Sequence, residues 1–128
     1  GYVKLDLLNV HVYEQVKDEA HLRRLMAQEP MWDMLAHREF VEQVIHINNH
    51  HDVITRMPEP VDSIPRMAML LSIIRPAKRH LIGLPWKDVA ADVWLKPSDG
   101  AYYFKKAHAV SYAQLVAVHM NLLCGLAD

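Results

Sequence analysis

Glu42, His46 and His50 recur four residues apart. On a helix that spacing places all three on one face, where two imidazoles and a carboxylate match the ligands of Zn²⁺ or a similar ion. The chain holds nine histidines, six of them within residues 1–65, so imidazole chemistry would belong to the first half. A second constellation is cationic: Lys78, Arg79, Lys96, Lys105 and Lys106 all lie in the second half. Such side chains contact phosphate oxygens when nucleic acid is bound, giving affinity and salt dependence but little choice of sequence. Nucleophilic chemistry is poorly provided for. The single cysteine, Cys124, sits in an apolar C-terminal stretch, where a thiol is ordinarily inert packing. The four glycines, Gly1, Gly83, Gly100 and Gly125, form no phosphate-cradling loop.

His21, then His51-Asp52, then Asp88 or Asp92 is similar to the ligand order of HD-type phosphohydrolases. That resemblance implies an alternative metal set of His21, His51, Asp52 and Asp92, with the metals activating water for attack on phosphorus. A third use of side chains is softer. Met26, Met31, Met34, Met57, Met67, Met69 and Met120 can fill a core or line an adaptable groove for a partner helix.

These residues need elements to hold them. Residues 5–27 carry apolar side chains at Leu5, Leu8, Val12 and Val16 and then a run of helix formers to Ala27, which predicts one helix or two with a kink. Pro30 stops it. A second helix is expected over 31–55, with Phe40, Val41, Val44, Ile45 and Ile47 as its apolar stripe. Residues 57–65 contain three prolines and read as a connection and a candidate hinge. Asp62 or Ser63 can cap the next helix, with Pro65 in its first turn. Met67, Leu70, Leu71 and Ile74 share its face, Pro76 should kink it, and Gly83 closes it. A short helix follows from about Pro85 to Trp94. The last helix is expected to start at the capping box Ser111-Tyr112-Ala113-Gln114 and to end at Gly125.

Residues 93–108 admit two readings. In one, 93–96 and 101–106 pair as a short β-hairpin around the turn Pro97-Ser98-Asp99-Gly100. In the other, Pro97-Ser98 opens a helix that runs to about His108. On that reading residues 86–115 resemble the helix-turn-helix unit of AraC/XylS-type transcription activators. The matching register is Asp88-Val89-Ala90, Val93, Leu95, Pro97-Ser98, Phe104-Lys105-Lys106-Ala107 and Val110-Ser111. Trp94 stands where that family has a turn glycine, and Gly100 where it has a buried aliphatic. The resemblance implies DNA binding, with Ser98 and Tyr102 nearest the base edges and the five cations on phosphates. A hairpin after a short helix would instead be the wing of a winged helix.

About half the 128 residues are apolar and a quarter charged, which bounds the chain to a single ordinary globular domain. The expected fold is mainly α, a compact multi-helix domain with room for one short β-hairpin over 93–106. Its charge is lopsided. Residues 1–65 carry 6 Lys/Arg against 11 Asp/Glu, and residues 66–128 carry 8 against 4. The expected organisation is an acidic helical half (1–56), the proline-rich connection (57–65) and a basic helical half (66–128) that carries any helix-turn-helix or winged-helix unit. Such polarity suits an anionic partner or attraction between the halves. One cysteine allows no internal disulfide, which fits a reducing, cytoplasmic compartment. No apolar run is long enough to cross a bilayer, so no membrane partner is expected. Gly1 where an initiator Met would stand reads as a cut from a longer protein. The leading expectation is a transcription-regulator-like DNA-binding module without a cofactor, rather than an enzyme. A helical protein–protein adaptor or dimerisation domain comes second, and the metal-dependent hydrolase third.

Overall fold

A computed structural model describes residues 16–100 and 103–126. Helix α1 spans Glu19–Ala27, and its first turn is closed by the Asp18 carboxylate, which accepts from the His21 backbone N–H at 2.7 Å. The expected part of this helix before residue 16 lies outside the described residues. A 3₁₀ helix, Trp32–Ala36, leads to the single turn α2, Arg38–Val41. Helix α3, His51–Arg56, follows after a coiled stretch.

The continuous helix expected over 31–55 is therefore broken. Gln43 and Val44 already bond three residues back, to Phe40 and Val41. The Ile45 N–H leaves the helical ladder altogether and donates to His119 Nδ1 at 2.9 Å. His46 takes a positive φ of 69°, a conformation that ends any right-handed helix. A run containing Val44, Ile45, Asn48 and Asn49 resists this break weakly, because β-branched residues and asparagines are poor helix formers. The apolar stripe still finds the core: Phe40, Val41, Val44 and Ile47 are buried.

The connection is non-helical over 57–63 and leads into α4, Ile64–Ile73, capped by Ser63 with Pro65 in its first turn. Beyond Arg66 this helix carries no charge, and every residue from Met67 to Ile73 is buried. An all-round apolar helix belongs at the centre of a fold, and α4 occupies it. Pro76 does not kink α4. The helix has already stopped at Ile73, Arg75 before the proline is extended, and Pro76–Leu81 winds as a 3₁₀ helix. Gly83 (φ 97°) turns the chain into α5, Trp86–Asp92.

Between α5 and the last helix, α6 (Lys106–Leu123), the described residues are neither helical nor paired as strands. The tight turn forms as expected, with the Gly100 N–H donating to the Pro97 carbonyl at 3.2 Å and Gly100 at φ 74°. The described residues of the flanking segments pair as no hairpin, and no strand occurs among the described residues. Nor does a helix run from Pro97. A left-handed glycine cannot sit inside one, and Phe104 is drawn into the core. Helix α6 consequently starts five residues before Ser111, whose hydroxyl donates to the Ala107 carbonyl inside it. Its end is as expected. Gly125 (φ 68°) donates to the Leu122 carbonyl and Leu126 to Asn121, which satisfies the last carbonyls of α6.

Helix α6 lies between two partners. Ala109, Ala113, Val116 and Met120 face α4 in the main core. Leu115 and Val118 face Leu22 and Leu25 of α1 in a smaller one. The main core joins Leu35 and Val41 to Met67, Trp86 and Phe104, so it runs across the proline-rich connection. No helix among the described residues is long and apolar enough to cross a membrane.

Candidate phosphate-binding surface

The end of α4 at Ile73, before Pro76, leaves Arg75 on the surface. Its guanidinium lies 4.2 Å over the Phe104 ring, a distance at which ring and cation attract. Phe104 in turn meets Tyr112 at 5.3 Å between ring centroids and His108 at 6.4 Å. Tyr112 and His46 meet nearly at right angles, with ring centroids 4.8 Å apart. Four turns of chain thus converge: the coil around His46, the break after α4, the approach to α6 and the first turns of α6. Arg79 extends the patch, its Nη1 donating to the Ile74 carbonyl at 3.1 Å. Among the described residues neither Arg75 nor Arg79 meets a carboxylate.

The charges that act on the two histidines beside this patch are positive. Burial, and then the Arg75 charge, hold the His46 imidazole below its ordinary range. Burial and Arg79 do the same for His50. Lys105 and Lys106 open α6 without a side-chain cap and with no acidic residue in the first turn. Cations at a helix N-terminus oppose its dipole, and among the described residues Lys105 and Lys106 pair with no carboxylate.

The expected cations divide. Arg79, Lys96, Lys105 and Lys106 are exposed, as is Ser98. Tyr102 lies outside the described residues. Lys78 does not belong with them. Its side chain is only 4% exposed, and its Nζ donates to the Asp92 carbonyl at 2.8 Å and sits 3.6 Å from the Asp92 carboxylate. Pro76 turns the chain so that Lys78 meets the last residue of α5, where the helix dipole is negative. It is a strut, not a phosphate contact.

No family model matches this chain, and no curated protein or solved structure matches it either.

The two expected metal sets do not assemble. Among the described residues no three of His, Cys, Asp and Glu gather to hold an ion. Glu42 and His46 lose their common face where the helix breaks, and His50 stands at the start of α3. Of the alternative set, His21 is buried in α1 and its Nδ1 accepts from the Lys17 N–H. His51 Nε2 lies 3.2 Å from the Ala36 carbonyl. Asp52 pairs with Arg38 at 2.8 Å, and that hydrogen bond and charge hold its carboxyl below the usual range. Asp92 is held low by its hydrogen bond to His80 and then by Lys78. Cys124 is pushed up by burial and by Asp33, the opposite of an activated thiol.

Arg75, Phe104, His108 and Tyr112 were not legible as site residues. One signal existed: a residue before proline is forced out of the helix, and Arg75 precedes Pro76. The rest required knowing that α6 begins at Lys106.

Proposed function

We propose that this chain is a binding module for nucleic acid, engaging the phosphate backbone through the surface centred on Arg75. The observation that carries this reading is the Arg75 guanidinium held over Phe104 with no carboxylate partner among the described residues, beside exposed Arg79, Lys105 and Lys106. An arginine steadied by a ring keeps its N–H fork free for a planar or tetrahedral anion. Aromatic rings interleaved with cations are the usual makings of a strand-binding groove. The regulator-like role expected from the helix-turn-helix register remains a narrower form of this proposal. Its groove contacts would have to come from α6 rather than from a helix at 97–108.

Labelled single-stranded and duplex DNA, titrated across a salt series and followed by fluorescence anisotropy, tests it. The logarithm of affinity should fall linearly with the logarithm of salt. Replacing Arg75 and Arg79 together by alanine should weaken binding on every sequence and reduce the slope by about two. Lys78→Met should leave that slope unchanged. Affinity indifferent to salt, or unaltered by loss of both arginines, would overturn the proposal.

A further inference from the structure

A cleft of about 530 Å³ opens between the 3₁₀ helix Trp32–Ala36, the end of α3 and the segment 57–61. That volume falls within the range of ligand clefts, about 300–1,000 Å³, and suits a few side chains rather than a whole helix. Its walls are apolar: Trp32, Leu35, Ile54, Met57, Pro58 and Val61. Its rim is open, since Asp33, Ala36, Thr55, Pro58 and Pro60 are exposed. Exposed Met31 precedes Trp32 along the chain, adding flexible apolar surface beside it.

The far wall is fastened before any ligand arrives. Met57 Sδ accepts from the Gly83 N–H at 3.3 Å. The Glu59 carboxylate accepts from the Trp86 N–H at 2.9 Å, and the Glu59 carbonyl accepts from the Trp86 indole at 3.0 Å. Arg66 donates to the Pro60 carbonyl. Pro58 and Pro60 have no N–H to offer, and two of the wall's carbonyls are already taken. A ligand is therefore recognised by shape and charge, not by strand pairing. The charge has one sign. Among the described residues, Asp33 and Glu59 are the only ionisable ones lining the cleft. Glu59 is partly used by Trp86 and by Arg66 at 3.8 Å, whereas Asp33 meets no cation among the described residues.

We propose that this cleft docks a short apolar segment of a partner protein carrying one lysine or arginine, its chain along the Trp32–Pro58 trough and its cation at Asp33. The site shares no residue with the phosphate-binding surface, so either can fail without the other.

The test is NMR titration of the nitrogen-labelled chain with capped peptides of proline and leucine around a central arginine, citrulline or glutamate. The arginine peptide should shift the amides of residues 32–36 and 54–61. The citrulline peptide should bind about fivefold more weakly, the scale of one exposed ion pair, and the glutamate peptide weaker still. Asp33→Asn, at an exposed position, should abolish the preference for arginine over citrulline while the chain stays folded. Equal binding of the arginine and glutamate peptides would overturn the proposal, as would no shift at millimolar peptide. Shifts at these amides that follow protein concentration alone would overturn it too, marking a second copy as the occupant.

Discussion

His46 concentrates the tension of this molecule at one residue. It adopts a left-handed backbone without being glycine, and its Nε2 is enclosed without a hydrogen-bond partner among the described residues. Its ring is wedged against Tyr112 beside the Arg75 charge. Conformations of this kind cost about 1–3 kcal/mol and persist only where the surroundings enforce them. Protonation makes the situation worse, because a second positive charge then lies near Arg75 in a partly dry site. Both His46 and His50 have folded-state pKa values below the ordinary 6.5. In the unfolded chain they take up protons as pH falls through about 6.5, while the folded chain still refuses them. The stability from these two residues is thus complete above that pH and is lost as pH falls through it towards the folded values. Urea midpoints should accordingly drop between neutral pH and pH of about 5.5, and His46→Gln combined with His50→Gln should flatten that drop. A stability that rises on acidification through this window would contradict the assignment. Asp52 and Asp92 act in a separate, more acid window, since their ion pairs survive until pH falls below the ordinary carboxylate range.

Among the described residues, α1 packs outside the main core. It meets the body through the small cluster of Leu22 and Leu25 against Leu115 and Val118, with Ile45, Tyr112 and Leu122 beside it. What fixes it in place is polar: the Asn121 side chain, fully buried in α6, donates to the carbonyls of Leu25 at 2.8 Å and Gln28 at 3.0 Å. These are carbonyls that a helix C-terminus leaves without partners. Asn121→Ala should therefore cost about 1–3 kcal/mol and speed hydrogen exchange across α1 before it does so in α4. Equal exchange in both helices would show that α1 is not a separately loosened unit. This dependence was not legible in the sequence, because an asparagine in an apolar run gives no hint of its partner 96 positions away. Local signals fared better. Ser63 with Pro65 announced α4, and Gly125 announced the end of α6, because capping is settled by near neighbours. The continuous helix over 31–55 and the start at Ser111 failed for the converse reason. His119 captures the Ile45 N–H from a distant part of the chain, and a serine can bond within a helix as well as cap one. Of the candidate site, the exposed cations were readable, but not Arg75 on Phe104 or Lys78 under Asp92.

At the scale of the whole molecule, the opposite charges of the two halves invite the idea that they hold each other. The ion pairs among the described residues mostly stay within one half. Arg23–Glu19 and Arg38–Asp52 stay within the first half, and Lys78–Asp92 and His80–Asp92 within the second. Among the described residues only Arg66 reaches across, to Glu59 and Asp62 beside it in sequence. The halves are joined instead by the main apolar core, and the expected hinge at 57–65 is a strap, with Met57 and Val61 buried in that core. Cohesion of this kind does not depend on screening, whereas the cations around Arg75 and at the start of α6, which pair with no carboxylate among the described residues, do. Salt should therefore separate the two properties. Moving from low to high sodium chloride should change the free energy of unfolding by less than about 1 kcal/mol, the reach of exposed ion pairs. Over the same range it should weaken DNA binding by orders of magnitude. Denaturant unfolding and anisotropy in matched buffers measure both. If stability falls as steeply as binding, the basic half is engaged in holding the acidic one, and its charge is not free for a partner.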